Sequence, residues 1–345
     1  MEADLRHAEI IVQQLGLENA KPLSVPSADE VKRPDDETLL NPEYTTQYKS
    51  IVARANYLAA DRPDIQFAVK KLATHMATPN NANWQELKRL GRYLKGRPRL
   101  VIKYKWQDAV TRLAAYSDSD WAGDKKTRKS TSGGIVCAGS HFVKSWSKNQ
   151  STIALSSAEA ELYGIIKCAS ETLGIASILW DWKLKFDADL LADASAALGI
   201  IGRTGLGKMR HIDTSYLWLQ QQSIKDKLKF KKVLGTENPA DMNTKGLNES
   251  LINKYVEMLK MEHREGRSEL APELHSLIKK GKCQRYNSTS NVITKRPNNR
   301  HNETDNKMCS NECQCNGIYM FCETYENRNQ QRFYKTAINP ANETN

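Results

Sequence analysis

Apolar positions along the chain fall into blocks of two different spacings. Ile10, Ile11, Leu15 and Leu17 make a short amphipathic pattern, followed by a polar stretch with Pro22, Pro26, Pro34 and Pro42, so one helix and a linker are predicted over 1–43. Ile51, Val52, Ala55 and Leu58, then Ile65, Ala68, Val69 and Leu72, recur at helical spacing on both sides of Pro63. Proline disfavours helix in the residue before it, so these read as two helices with a break before Pro63. Trp84, Leu87, Leu90, Tyr93 and Leu94 make another helix, which Gly96 closes.

Beyond residue 100 the segments 100–105, 113–121, 133–138 and 142–146 read as a meander of strands, with turns at Gly123-Asp124 and Gly139-Ser140. A long helical pattern runs from 158 to about 182, and Ser156 or Ser157 can cap it. Residues 190–192 are a buried-strand candidate, Asp193 to Ala197 start a helix, and Tyr216, Leu217, Leu219 and Ile224 mark another. Phe230, Val233 and Leu234 form a last strand before a helix that Pro239 opens. After about residue 262 the apolar pattern fades, and 284–312 has the composition of a disordered segment.

Acids interrupt this pattern at telling places. Asp118 and Asp120 sit two apart on a predicted strand and point the same way, which suits either an exposed edge strand or a metal-binding one. Glu159 and Glu161 lie in the first turns of the long helix, where the helix dipole gives both a structural reason. Two helical residues differ by about 200°, so only one of them can face the strand. Asp193 ends an apolar run, where a plain helix cap is the alternative, and Asp241 falls in the first turn of the last helix.

Lysine and arginine exceed aspartate and glutamate by 11, with a pI near 9.2, which suits a polyanionic partner without excluding a merely basic protein. Lys88, Arg89, Arg92, Lys95, Arg97, Arg99, Lys103 and Lys105 follow one another with no acid between them, a density suited to a phosphate backbone; a solvated helix face is the alternative. Lys125, Lys126, Arg128 and Lys129 occupy a hairpin tip beside the acidic strand, where they could guide a nucleic-acid strand. No run approaches the length of a membrane-spanning helix and the first ten residues are too charged for a secretory signal, so a cytoplasmic or nuclear setting without membrane partners is expected. The seven cysteines are expected to be reduced, with Cys137 and Cys168 in the core; Cys309, Cys313, Cys315 and Cys322 match no zinc spacing. His211 reads as a packing or capping residue.

Asp118-Ser119-Asp120-Trp121-Ala122-Gly123, Arg128-Lys129-Ser130-Thr131-Ser132-Gly133, Leu155-Ser156-Ser157-Ala158-Glu159-Ala160-Glu161-Leu162, and Asn238-Pro239-Ala240-Asp241 with Thr244-Lys245 stand in an order that resembles the ribonuclease H domain of copia-type retrotransposon Pol polyproteins. Tyr57-Leu58, Arg62-Pro63-Asp64-Ile65 and the 88–96 segment are similar to the end of the preceding reverse-transcriptase region. The resemblance covers roughly residues 44–260. It implies an α/β fold: a ribonuclease H-like mixed five-stranded sheet with its first three strands antiparallel, flanking helices, and a small helical segment before it. The implied organisation is an N-terminal helix and linker over 1–43, a helical segment over 44–106, the nuclease domain over 107–262 and a polar tail over 263–345.

The implied function is metal-dependent endonucleolytic hydrolysis of the RNA strand of RNA–DNA hybrids, with Asp118, Glu161, Asp193 and Asp241 holding two Mg²⁺ ions, or Mn²⁺, about 4 Å apart. Asp118 would bridge the ions, with Glu161 and Asp193 on one side and Asp241 on the other; the motif favours Glu161 over Glu159. Ala194 departs from the family's usual Asp-Asn, removing an amide beside the site. Partners would be nucleic acid and the polymerase palm and fingers or other Pol products. No Tyr-x-Asp-Asp strand occurs, so polymerase activity is not expected. The competing readings are a decayed element fragment that only binds nucleic acid, and a transposase or integrase, whose usual last acid is a Glu in a long helix.

Overall fold

The computed structural model describes residues 1–27, 36–205, 207, 214–269 and 271; the readings of His211, of the 284–312 segment and of the cysteines from 309 to 322 lie outside the described residues. The first part is a helical bundle of α1 (Leu5–Gln14), α2 (Pro42–Ala59), α3 (Pro63–Thr74) and α4 (Asn81–Gly96). Leu5, Ala8 and Ile11 bury α1 in the same apolar cluster as Tyr48, Ile51, Ile65, Leu87 and Leu90, so the N-terminal helix is part of the bundle. It starts earlier than its apolar spacing suggests because Asp4 caps it, accepting from the Arg6 N–H at 3.0 Å. The expected break before Pro63 is present, and a buried network occupies it. The Arg62 guanidinium pairs with Asp64 at 2.7 Å and donates to the carbonyls of Arg97 and Pro98, while the Tyr93 hydroxyl donates to Asp64.

The second part is a five-stranded sheet in the order β4-β3-β2-β5-β6, built from β2 (Arg112–Asp120), β3 (Thr131–Ala138), β4 (His141–Asn149), β5 (Asp187–Ala192) and β6 (Lys229–Lys232). The first three pair antiparallel, and β5 runs parallel to both β2 and β6. Strand alternation sends Leu113, Ala115 and Val136 to one face, where Leu162, Ile165 and Cys168 of α5 (Ser157–Asp181) cover them. Ile135 and Cys137 point to the other face and meet Met242 together with Ile252 and Tyr255 of α8 (Glu249–Met258). The helices α6 (Ser195–Ile201) and α7 (Trp218–Ile224) complete the layer on the α5 side. Helix α3 joins the sheet through Lys70 Nζ on Thr131 Oγ1 at 2.7 Å and Gln66 on the Ser145 carbonyl at 3.3 Å.

Three sequence expectations are corrected. The 100–105 segment does not join the main sheet: β1 (Arg99–Ile102) pairs antiparallel with β7 (Met261–Arg264), a strand whose charged sequence gave no alternating pattern. The segment opened by Pro239 is a 3-10 turn, Pro239–Asn243, that ends before α8 begins. By length and composition, α5 is long and apolar enough to cross a membrane, contrary to the expectation that no run is. Its buried residues pack on β2 and β5, as in the core helix of a folded domain.

Candidate metal-binding acidic site

Strand β2 is the pivot of the site. It lies between β3 and β5, whose ladder ends at Ser117, and the burial of Asp118 just beyond removes the exposed-edge reading for that acid. Asp118 is buried on it, paired in register with Gly133 of β3. A side chain at 133 would place its Cβ 2.7–2.9 Å from Thr244 Cγ2, Asn243 Cβ and the Ala240 carbonyl, so the missing side chain is what lets the 239–244 segment lie on the sheet. Asn238 fixes that segment: its side-chain oxygen accepts from the Ala240 N–H and its amide donates to the Ser117 carbonyl at 2.9 Å. The Thr244 hydroxyl then donates to Asp118, and Asp241 is buried in the turn.

Helix α5 supplies the next acid. Ser156 caps it by accepting from the Glu159 N–H, and Glu159 folds back to accept from the Leu155 N–H at 2.9 Å and the Tyr163 hydroxyl at 2.6 Å. Glu159 is thereby committed to the helix start. Glu161 faces β2, where one oxygen accepts from the Ser119 N–H at 3.3 Å and the other is buried with no hydrogen-bond partner. Asp193 follows β5 and is half-buried; Ala194 occupies the N-cap of α6, so Asp193 is not its capping residue.

The structure brings three of these groups together: carboxylate oxygens of Asp118, Glu161 and Asp193 lie within 4.8 Å of one another. Asp241 stands beside them, close enough for its charge to act on Asp118 and Asp193, with Lys245 paired to it at 2.9 Å. Asp120 is not in the group; it accepts from the Thr131 N–H. Burial, then the charge of Asp241, pushes Asp118 up to about 7. Burial, then the charges of Asp118 and Asp193, pushes Glu161 up to about 9. Asp193 is raised by burial and by Asp241. Burial works against the Lys245 ammonium, but its bond to Asp241 and the neighbouring acids outweigh this and raise it. A group of hard oxygen donors that repel one another, one of them buried and unpartnered, fits a divalent cation.

Sequence reasoning missed Gln150. Its buried amide donates to Ser119 Oγ, Ser132 Oγ and the Ala160 carbonyl at 2.8–3.0 Å, tying β2, β3 and α5 together next to Asp118 and Glu161. A lone glutamine after a strand carries no signal of such a role. The basic positions have mixed surroundings. Arg92 and Lys95 donate to the carbonyls of Lys21 and Ala20, and Lys126 pairs with Glu37. Lys88 and Arg89 are half-buried, while Lys125 and Arg128 are exposed and Lys129 is half-buried on the β2–β3 connection.

A mixed sheet of this order, with acids gathered on β2 and just after β5, has the ribonuclease H-like fold. No protein-family model matches the chain. It is 33% identical over 242 residues to the retrovirus-related Pol polyprotein from transposon RE1 of Arabidopsis thaliana, an alignment that takes in 69% of the chain. It is 32% identical over 253 residues to that from transposon RE2 of the same plant, with 72% of the chain aligned. The chain spans only 16% and 17% of the length of these two polyproteins. Among solved structures, the N-terminal RNase H domain of a Mycobacterium tuberculosis protein, determined as a fusion with maltose-binding protein, aligns over 43% of this chain and 98% of its own, at 16% identity and a TM-score of 0.29. Its relatives by sequence are thus retrovirus-related Pol polyproteins of copia-type transposons, of which it matches a small part.

Proposed function

We propose that this chain cleaves the RNA strand of RNA–DNA hybrids, using divalent metal ions, as part of a retrotransposon's reverse-transcription machinery. The observation that carries the reading is the grouping of Asp118, Glu161 and Asp193 with Asp241 alongside. Phosphodiester hydrolysis needs an activated water and relief of charge on the leaving oxygen, and neither requires a Ser, Cys or His nucleophile. Asp118, Glu161, Asp193 and Asp241 would hold Mg²⁺, or Mn²⁺ in its place. When bound, such ions supply Lewis-acid stabilisation of phosphoryl oxygens and lower the pKa of water.

The remaining chemistry belongs to the chain. Thr244 and the Ser119 N–H each bond one oxygen of their carboxylate, Asp118 and Glu161, and so orient both groups. Lys245 offsets the charge of Asp241. Lys125, Lys126, Arg128 and Lys129 would meet phosphates near the site, and Lys88, Arg89, Arg92 and Lys95 would do so further away. Polymerase palm and fingers, or other Pol products, would be its partners, in the cytoplasm or nucleus. The test is incubation with labelled RNA–DNA hybrid and Mg²⁺: cleavage by the wild type that Asp118→Asn abolishes supports the reading. Cleavage that survives the substitution refutes the site, and binding without any cleavage favours the decayed fragment.

A further inference from the structure

The rim of the acidic site carries an apolar surface that the proposed chemistry does not use. Trp121, Ile153 and Leu155 are 54%, 52% and 67% exposed. The Trp121 indole N–H donates to the Ala154 carbonyl at 3.0 Å, which lays the ring against the 153–155 segment. Its backbone is also fixed, since Ala122 takes a φ of 55° with its N–H held by Ser130 Oγ at 3.0 Å. Two residues earlier, within β2, the Ser119 N–H bonds Glu161. Both bonds run from β2 and its end to the 154–161 segment, so the indole and the Glu161 carboxylate lie along the same seam. Beyond Trp121 the chain turns through Lys125, Lys126 and Arg128, all exposed, with Lys126 paired to Glu37.

We infer that Trp121, Ile153 and Leu155 form a shelf that receives the sugar and base-edge surface of the nucleic acid beside the scissile position, while the basic turn takes its phosphates. The inference rests on the proposed hybrid cleavage and names how that substrate is held. A nucleic acid supplies apolar faces and phosphate anions together, which matches an apolar surface set beside a basic turn.

Binding of labelled hybrid to Asp118→Asn protein, measured by fluorescence anisotropy across a salt series, tests it. Added to that background, Trp121→Ala should weaken binding about 5- to 20-fold at every salt concentration, with the slope of log affinity on log salt unchanged. Trp121→Phe, which keeps a ring, should retain most of the affinity. Ile153→Ser with Leu155→Ser, at exposed positions, should cost about 3- to 5-fold. Lys125→Ala with Arg128→Ala should instead flatten the salt slope by about 0.9 per lost phosphate contact. Unchanged affinity in the Trp121→Ala and Ile153→Ser/Leu155→Ser proteins overturns the shelf, as does a loss accompanied by a flattened slope.

Hybrid cleavage by the wild type separates the two ideas. Cleavage together with unaffected shelf variants refutes the shelf alone. Absence of cleavage together with weakened Trp121→Ala binding refutes the nuclease and leaves the shelf. Failure of the parent protein to bind hybrid refutes both.

Discussion

Replacing Glu161 by glutamine should stabilise the metal-free protein while removing a group the proposed activity needs. Burial and the charges of Asp118 and Asp193 push Glu161 up to about 9, whereas in the unfolded chain it titrates near the ordinary 4.5. Between those values the folded state holds a proton that the unfolded chain has released, so stability is present in acid and falls as pH rises. From pH 4.5 to pH 8, at 1.36 kcal/mol per pH unit, the upper bound of that loss is about 5 kcal/mol. The neighbouring acids share the same field, so the amide should recover less, about 2–4 kcal/mol at pH 8 and under about 1 kcal/mol at pH 5. For a folded unit of this size the gain at pH 8 corresponds to a melting temperature about 5–10 °C higher. Thermal or urea denaturation in EDTA at both pH values measures it. A stability gain from Glu161→Gln that is absent at pH 8, or equal at pH 5 and pH 8, refutes the argument. Mg²⁺ should stabilise the wild type at pH 8 and the variant much less.

Other substitutions separate site from scaffold. Asp193→Asn and Asp241→Asn should each lower Mg²⁺-dependent hybrid cleavage about 100-fold or more, whereas Asp120→Asn should stay within about tenfold because Asp120 bonds the Thr131 N–H outside the cluster; single-turnover rates decide it. Gln150→Leu leaves the Ala160 carbonyl and two serine hydroxyls without their donor and should cost about 2–4 kcal/mol in urea unfolding. Arg62→Met should cost about 3–5 kcal/mol by leaving Asp64 buried and unpaired, and adding Asp64→Leu should restore a large part of it.

Much of this fold was legible because its signals are local. The break before Pro63, the cap at Ser156 and the alternation along β2 each depend on a few neighbouring residues. The choice of Glu161 over Glu159 came from the resemblance; in the structure Glu159 accepts from the Leu155 N–H and the Tyr163 hydroxyl, while Glu161 accepts from the Ser119 N–H of β2. What was not legible depends on distant partners. The basic run from Lys88 to Lys105 holds no acid in sequence, yet Glu2 and Glu249 reach it from far along the chain to pair with Arg99 and Arg97, and Glu262 does the same for Lys103. Strand β1 looked like the start of the meander, and only its pairing with a charged strand some 160 residues later reassigns it. Gln150 belongs to the same class, since its partners are meaningful only once three elements meet.

Gly133 has a consequence for judging copies of such an element. An alanine there would leave all four acids, both apolar clusters of the sheet and every strand in the sequence, yet its methyl group would press on Asn243, Thr244 and the Ala240 carbonyl, lifting Asp241 away from Asp118. Mutational drift could therefore silence the proposed chemistry at a position that contributes no functional group to it. A survey that counts carboxylates alone would score that copy as intact.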